Sequence, residues 1–157
     1  MVTALLSIFI CHRYNLDYKT FRCRVSDEAS FMPGTSAQLQ VGDSLTVENL
    51  LYGLMLPSRN DAAVTLAENL GRVIIKSKRK PCKLSPQKVF VSHMNILYRQ
   101  VVGEDPDVLS DDSEETVHHL FQNPSGLSFN PNYTKPEQIS LFAAIAYRNE
   151  IIRKVVC

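Results

Sequence analysis

The first eleven residues, MVTALLSIFIC, are apolar on nearly every side of a helix. A helix of this kind is stable only when other elements surround it. The stretch is as long as the apolar core of a signal peptide. However, no basic segment precedes it, and His12-Arg13-Tyr14 follows it in place of a small-residue cleavage site. We therefore predict a buried helix over residues 1–12, at the centre of a core.

Composition narrows the class of protein. The chain has 157 residues, of which 45% are apolar and 21% charged, as is typical of one globular domain. Its net charge of +1 offers no global field for nucleic acid or an anionic membrane. No apolar run reaches the roughly 18 residues that a transmembrane helix needs. We predict no nucleic-acid partner and no transmembrane segment.

Two amphipathic helices lie in the middle of the chain. Thr46 is placed as an N-cap, and the first helix should end near Leu56, because Pro57 follows. A second, alanine-rich helix should begin at Asp61 and stop at Gly71.

Further helices are predicted on both sides of this pair. Apolar spacing indicates one over about 86–102. Thr134-Lys135-Pro136-Glu137 is a capping box that opens another, which the pattern allows to continue to 155. A short strand is expected near Phe21–Val25. The prediction is a mostly α protein with about five helices and little strand.

The tripeptide Ser58-Arg59-Asn60 lies in the tight loop between the two central helices. Such a loop projects a hydroxyl and a carboxamide from a rigid base. Alone, this pattern is most often a helix cap, so its meaning depends on the surrounding sequence.

That surrounding sequence resembles a known family. The segments PGTSAQL (33–39), LTVENLLYGLMLPSRNDAAVTLAENLG (45–71) and FQNPSGL (121–127), with Met94-Asn95, resemble the D-alanyl-D-alanine carboxypeptidases, the low-molecular-mass penicillin-binding proteins. The resemblance covers most of the chain outside 72–88 and 103–119. It implies one partial domain over 1–157, the helical subdomain of the α/β β-lactamase/transpeptidase-like fold.

The resemblance also implies a chemistry. Serine enzymes of this superfamily combine an S-x-x-K nucleophile with S-x-N and K-T-G motifs. Of these, only Ser58 and Asn60 map onto this chain, as a proton-relaying hydroxyl and an amide that holds a peptide ending in D-Ala-D-Ala. The family's acyl transfer requires no cofactor or metal.

The departures from the family pattern limit that activity. Met1-Val2-Thr3-Ala4-Leu5-Leu6 matches the residues that follow the family's lysine, so we expect a domain truncated at both ends. The matches Ser77…Lys80 and Ser85…Lys88 follow Ser58, whereas the family's nucleophile precedes it. Lys19-Thr20-Phe21 is not a K-T-G motif, and Arg59 replaces the usual glycine, where it could crowd the cleft.

Other nucleophiles and metal sites are weaker candidates. The four cysteines, at 11, 23, 82 and 157, form no C-x-x-C pair and are expected to be free thiols. Cys11 or Cys23 would need a histidine partner such as His12 or His93, and Cys11 is expected in the core. His118 and His119 are adjacent, so their rings diverge, and we predict no metal site.

Two oppositely charged segments resemble insertions. Residues 72–88 hold seven basic side chains and no acid, and residues 104–115 hold seven acids and no base. The runs could bind each other or a protein partner of opposite charge. Ser110 and Ser113, among the acids, are weak candidates for phosphorylation.

Two functions follow as expectations. The first is a domain of a serine-type D-Ala-D-Ala carboxypeptidase that is inactive as this chain alone, because it lacks the nucleophile. The alternative is a non-catalytic pseudoenzyme that acts as a structural or protein-interaction module. The family is usually extracytoplasmic, but the sequence has no convincing signal peptide, so the compartment stays open.

Overall fold

The computed structural model describes residues 1–78, 81–102, 121–125, 132 and 136–156. Within these ranges it contains seven helices and one two-stranded sheet. In chain order they are α1 (Val2–Arg13), β1 (Arg22–Arg24), α2 (Asp27–Ser30), β2 (Ser44–Thr46), α3 (Val47–Met55), α4 (Asn60–Ser77), α5 (Pro86–Val102), α6 (Pro136–Arg148) and α7 (Glu150–Val156).

Helix α1 lies at the centre of the fold, as predicted. Eight of its twelve residues are buried, and it contacts α3, α4, α5 and α7. Its two buried hydroxyl groups are both satisfied. Ser7 Oγ donates to the carbonyl of Thr3 at 2.7 Å, and Thr3 Oγ1 donates to the carbonyl of Pro124 at 2.6 Å. The helix therefore buries polar groups without leaving them unpaired.

Among the described helices, α4 and α5 share the most extensive contact, and Gly71 allows their backbones to approach closely. A Cβ at Gly71 would lie 2.0 Å from the carbonyl oxygen of Pro86, the first residue of α5. The prediction that Gly71 ends the helix was wrong, because α4 continues to Ser77. The glycine is a point of close backbone approach rather than a helix stop.

The sheet consists of two antiparallel three-residue strands, β1 and β2, with Cys23 opposite Leu45. The strand predicted near Phe21–Val25 is present as β1. The sequence did not predict β2, and it placed the last residue of this strand, Thr46, only as the N-cap of the helix that follows. Thr46 caps α3 as predicted, since its Oγ1 accepts from the backbone N–H of Asn49 at 3.2 Å.

The C-terminal helix is interrupted at Asn149, where a single helix to 155 was predicted. The Asn149 side chain accepts from the N–H groups of Ile151 and Ile152 at 3.0 and 3.3 Å, so it caps a new helix, α7. Together with the single-turn helix α2, this break explains why the described residues contain seven helices rather than about five.

Several predicted features lie outside the described residues. These are the acidic run 104–115 with Ser110 and Ser113, the histidines His118 and His119, positions 79–80 of the basic run, residues 126–127 and 134–135, and Cys157. Of the basic run, residues 72–77 form the last part of α4, and residues 86–88 begin α5. Within the described ranges, no helix is both long and apolar enough to cross a bilayer.

The two helical glycines Gly71 and Gly53 give a matched test of this packing. We expect Gly71→Ala to destabilise the protein by about 3 kcal/mol, because the clash is with backbone that cannot rotate away. Gly53→Ala should be neutral or stabilising by up to ~1 kcal/mol, because its Cβ would meet Ala62 Cβ at an ordinary 3.5 Å. Chemical denaturation monitored by circular dichroism measures both. Equal stability of the two variants would contradict the close approach of α4 and α5.

Candidate functional site

The Ser58-Arg59-Asn60 loop joins α3 to α4, as the sequence predicted. Ser58 is exposed, and its φ of +52° lies in the left-handed region that non-glycine residues rarely adopt. Arg59 has extended backbone, and Asn60 is the first residue of α4 and only 4% exposed. The loop thus presents a hydroxyl at the surface beside a carboxamide set into the helix end.

Residues 33–39, here called the strap, run alongside this loop and are hydrogen-bonded to it. Asn60 Nδ2 donates to the carbonyl of Pro33 at 3.0 Å, and the Asn60 backbone N–H donates to the carbonyl of Thr35 at 2.9 Å. Thr35 Oγ1 donates to the carbonyl of Ser58 at 2.5 Å. The strap therefore fixes the orientation of both residues of the S-x-N motif.

Asp61 ties the strap to α4 and is a residue whose role the sequence did not predict. Its carboxylate is fully buried, and Oδ2 accepts from Ser36 Oγ at 2.7 Å, from Ala37 N–H at 2.7 Å and from Leu39 N–H at 3.4 Å. The sequence placed Asp61 only at the start of the alanine-rich helix, where an acid is favourable. Its position directly after Asn60 is the one sequence signal of this second role.

Arg59 also bonds to the strap. Its guanidinium donates through Nη1 to the carbonyl of Ser36. This contact directs the side chain toward the strap, so Arg59 adds to the loop's attachment in this structure.

Met94-Asn95, another pair that resembles the family, contacts the segment that begins at Phe121. Asn95 Nδ2 donates to the Phe121 carbonyl at 3.0 Å, and Asn95 Oδ1 accepts from the Phe121 N–H at 2.8 Å. Tyr98, one turn further along α5, stacks on Phe142 and meets Phe121 edge to face. Residues 121–125 are therefore fixed to α5 through a buried amide and an aromatic cluster.

Comparison with known proteins agrees with this arrangement. No protein-family model matches the chain. The chain is 32% identical to the D-alanyl-D-alanine carboxypeptidase of Streptomyces sp. (strain K15), over 90% of this chain and 42% of that protein. The crystal structure of the Streptomyces K15 DD-transpeptidase superposes with a TM-score of 0.69 at 26% identity, covering 99% of this chain and 53% of that chain. The chain belongs to the low-molecular-mass penicillin-binding protein family.

Two further proteins are similar to the chain, one in sequence and one in fold. D-alanyl-D-alanine carboxypeptidase DacF of Bacillus subtilis is 26% identical over 85% of this chain and 28% of its own length. The crystal structure of DacD from Francisella tularensis superposes with a TM-score of 0.67 at 23% identity, covering 96% of this chain and 31% of that chain. The chain spans less than half the length of both curated relatives. The described residues are thus a helical portion of the β-lactamase/transpeptidase-like fold, as predicted.

The literal S-x-x-K serines have structural roles in this penicillin-binding-protein domain. Ser77, the last residue of α4, donates to the carbonyl of Ile74 at 2.7 Å, and its Oγ lies 3.0 Å from the Tyr14 hydroxyl. Ser85 caps α5, because its Oγ accepts from the Lys88 N–H at 3.3 Å. Lys88 is thus bonded to Ser85 through its backbone. Neither serine contacts the Ser58 loop among the described hydrogen bonds.

Lys19-Thr20-Phe21, the other partial match, forms a turn rather than a cleft strand. Asp17 accepts from the Lys19 N–H at 3.0 Å and from Thr20 Oγ1 at 3.1 Å. This turn precedes β1, so Lys19 and Thr20 do not lie on a strand as the K-T-G motif does.

The two buried cysteines, Cys11 and Cys23, are poor nucleophiles. Cys11, Cys23 and Cys82 are free thiols, of which the first two are buried. Burial raises the pKa of Cys11 to about 11, with a contribution from Asp17, and raises the pKa of Cys23 to about 12. Within the described ranges, no hydrogen bond joins a cysteine to a histidine, and no cluster of three potential metal ligands is found.

A cavity of about 940 Å³ lies away from the Ser58 loop, between α1, α5 and the junction of α6 with α7. Its wall is largely aliphatic and aromatic, and includes Leu5, Phe9, Leu97, Ile145 and Ile151. Neither the loop nor the strap contributes to it.

Thiol labelling tests the assignment of the buried cysteines. In a Cys157→Ser background, an aromatic disulfide reagent at pH 8 should label Cys82 and leave Cys11 and Cys23 unmodified until denaturant is added. With a pKa of about 11, roughly one thousandth of Cys11 is thiolate at that pH. Peptide mass spectrometry identifies the labelled site, with Cys82→Ser as the control. Rapid labelling of Cys11 in the native protein would contradict the assignment.

Proposed function

We propose that this chain supplies the helical side of a D-Ala-D-Ala peptide-binding cleft, in a domain of the serine DD-peptidase type. Ser58 and Asn60 are the residues that would contact the peptide. The observation that supports this proposal is the Ser58-Arg59-Asn60 loop, which matches the family's S-x-N motif. Four hydrogen bonds attach this loop to the strap.

The Asn60 carboxamide has unused hydrogen-bonding capacity. One N–H of Nδ2 donates a hydrogen bond to the Pro33 carbonyl. The second N–H of Nδ2 and the Oδ1 lone pairs remain for a ligand. These groups match the C=O and N–H of a peptide bond. Fixing the amide before the peptide arrives reduces the entropy lost on binding.

The exposed Ser58 hydroxyl can both donate and accept a proton. In the proposed role it relays a proton to or from a reacting group. It is not itself the nucleophile, because the family motif assigns attack to the serine of S-x-x-K. The proposed chemistry uses side chains alone.

The 157 residues contain no S-x-x-K before Ser58 and no K-T-G. Loss of the nucleophile from a coupled serine site costs on the order of 10⁶ in rate. We infer that this chain alone binds the peptide but does not hydrolyse it and is not acylated by penicillin. The structural roles of Ser77 and Ser85 support this inference.

A second candidate is a non-catalytic interaction module. The observation that favours it is Arg59, whose side chain adds a further bond between loop and strap in a chain that has no S-x-x-K before this loop. In that case the oppositely charged segments would bind a protein partner, and salt would weaken the complex.

Peptide titration followed by amide NMR tests the proposal. Diacetyl-Lys-D-Ala-D-Ala should shift the signals of Ser58 and Asn60 saturably, whereas the L-Ala-L-Ala peptide should not. Ser58→Ala should weaken binding by about fivefold, the value of one neutral hydrogen bond. Ser44→Ala, another exposed serine, is the matched control and should leave binding unchanged.

Intact-mass measurement after incubation with benzylpenicillin completes the test. We expect no covalent adduct on the chain. A penicilloyl adduct would show that a nucleophile exists within these 157 residues. Absence of any peptide-induced shift at Ser58 and Asn60 would favour the interaction module. In that case a protein partner should copurify with the chain, and salt should weaken the complex.

A further inference from the structure

The two residues of the proposed site depend on a strap with a demanding backbone. Two strap residues, Gly34 and Gln38, have positive φ values of +90° and +58°, and Ser58 opposite them has +52°. A non-glycine residue in this region costs of order 1 kcal/mol and persists only where surrounding contacts impose it. The strap therefore needs an anchor that outweighs this cost.

Asp61 is the residue that provides the anchor. Three of the four hydrogen bonds to its carboxylate come from the strap, and only one, from the Ala62 N–H at 2.8 Å, comes from its own helix. An acid that served only the α4 dipole could stay in solvent. Full burial of a carboxylate is unfavourable unless hydrogen bonds compensate it, and here the strap supplies most of them.

We propose that Asp61 is a positioning residue, which acts through the strap to hold Ser58 and Asn60 in their binding geometry. The path is short: Asp61 fixes Ser36 and Ala37, and the adjoining residues Pro33 and Thr35 bond directly to the S-x-N loop. The functional part of this inference rests on the proposed function, since it assumes that Ser58 and Asn60 bind the peptide.

The residues around Asp61 suggest a matched set of variants. Asp61→Ala removes the three hydrogen bonds that the strap donates to the side chain at position 61. Asp61→Asn retains one carbonyl oxygen, which can accept from the same three strap donors at the place of Oδ2. It loses only the bond from the Ala62 N–H, because an amide NH2 at the place of Oδ1 cannot accept. Thr65→Ala is the control, because Thr65 is equally buried and its Oγ1 donates to the Asp61 carbonyl at 2.8 Å within α4, without contacting the strap.

The first measurement is hydrogen exchange of the Asn60 amides, read by NMR without any ligand. Asp61→Ala should speed exchange of the Asn60 N–H by at least about tenfold relative to Thr65→Ala. Asp61→Asn should change it by less than about threefold. The Val89 N–H, which donates to the Ser85 carbonyl in the first turn of α5, is an internal reference on a helix outside the loop and the strap. Equal acceleration in the Asp61→Ala and Thr65→Ala variants would overturn the proposal, because Asp61 would then serve only the helix.

The second measurement is peptide affinity. Asp61→Ala should lower it by about the same factor as it speeds Asn60 exchange, whereas Asp61→Asn should restore it. If wild type binds no peptide, the proposed function fails, and exchange alone still judges whether Asp61 positions the loop. If Asp61→Ala does not fold, Ser36→Ala replaces it, since it removes one donor and leaves two. We then expect about threefold faster Asn60 exchange, and no change would overturn the proposal.

Discussion

The buried Asp61 carboxylate is the interaction on which the arrangement of the site depends. It lies one residue after Asn60 and accepts hydrogen bonds from Ser36, Ala37 and Leu39. Without these bonds, the carboxylate would be buried with one hydrogen-bond partner only. The strap would also lose the contacts that hold Gly34 and Gln38 in their left-handed conformations. One side chain therefore determines both the backbone of residues 33–39 and the loop that this backbone supports.

The S-x-N loop and the segment that begins at Phe121 are both attached to a core that the chain builds itself. Helix α1 is surrounded by α3, α4, α5 and α7, and α4 packs directly against α5 through Gly71. The segment from Phe121 is joined to the same core through Asn95 and through Thr3, in the first turn of α1. The S-x-N loop and the segment from Phe121 are thus both attached to one hydrophobic core, and the packing of that core determines where they lie.

Part of this could be predicted from the sequence. The all-apolar pattern of residues 1–12 predicted a central helix, Thr46 and Pro57 bounded α3, and the S-x-N tripeptide fell in the loop where the structure has it. These features are local, because they depend on residues within one or two helical turns. Gly71, Asn149 and Asp61 were misread or overlooked. Their roles depend on Pro86, on the N–H groups of a following helix, and on a strap 22 to 25 residues earlier.

The same distinction between local and distant determinants applies to the proposed function. The identities of Ser58 and Asn60 are local and visible in the sequence, but their value as binding groups depends on orientation, which distant residues set. Asn60 can offer its remaining amide groups to a peptide only while Pro33 holds one of them in place. Because Pro33 belongs to the strap that Asp61 anchors, the acid beside the motif matters to the proposed site as much as the motif does. A search for such sites in related chains should therefore include the buried residue that fixes the loop, since a matching tripeptide alone does not define the geometry.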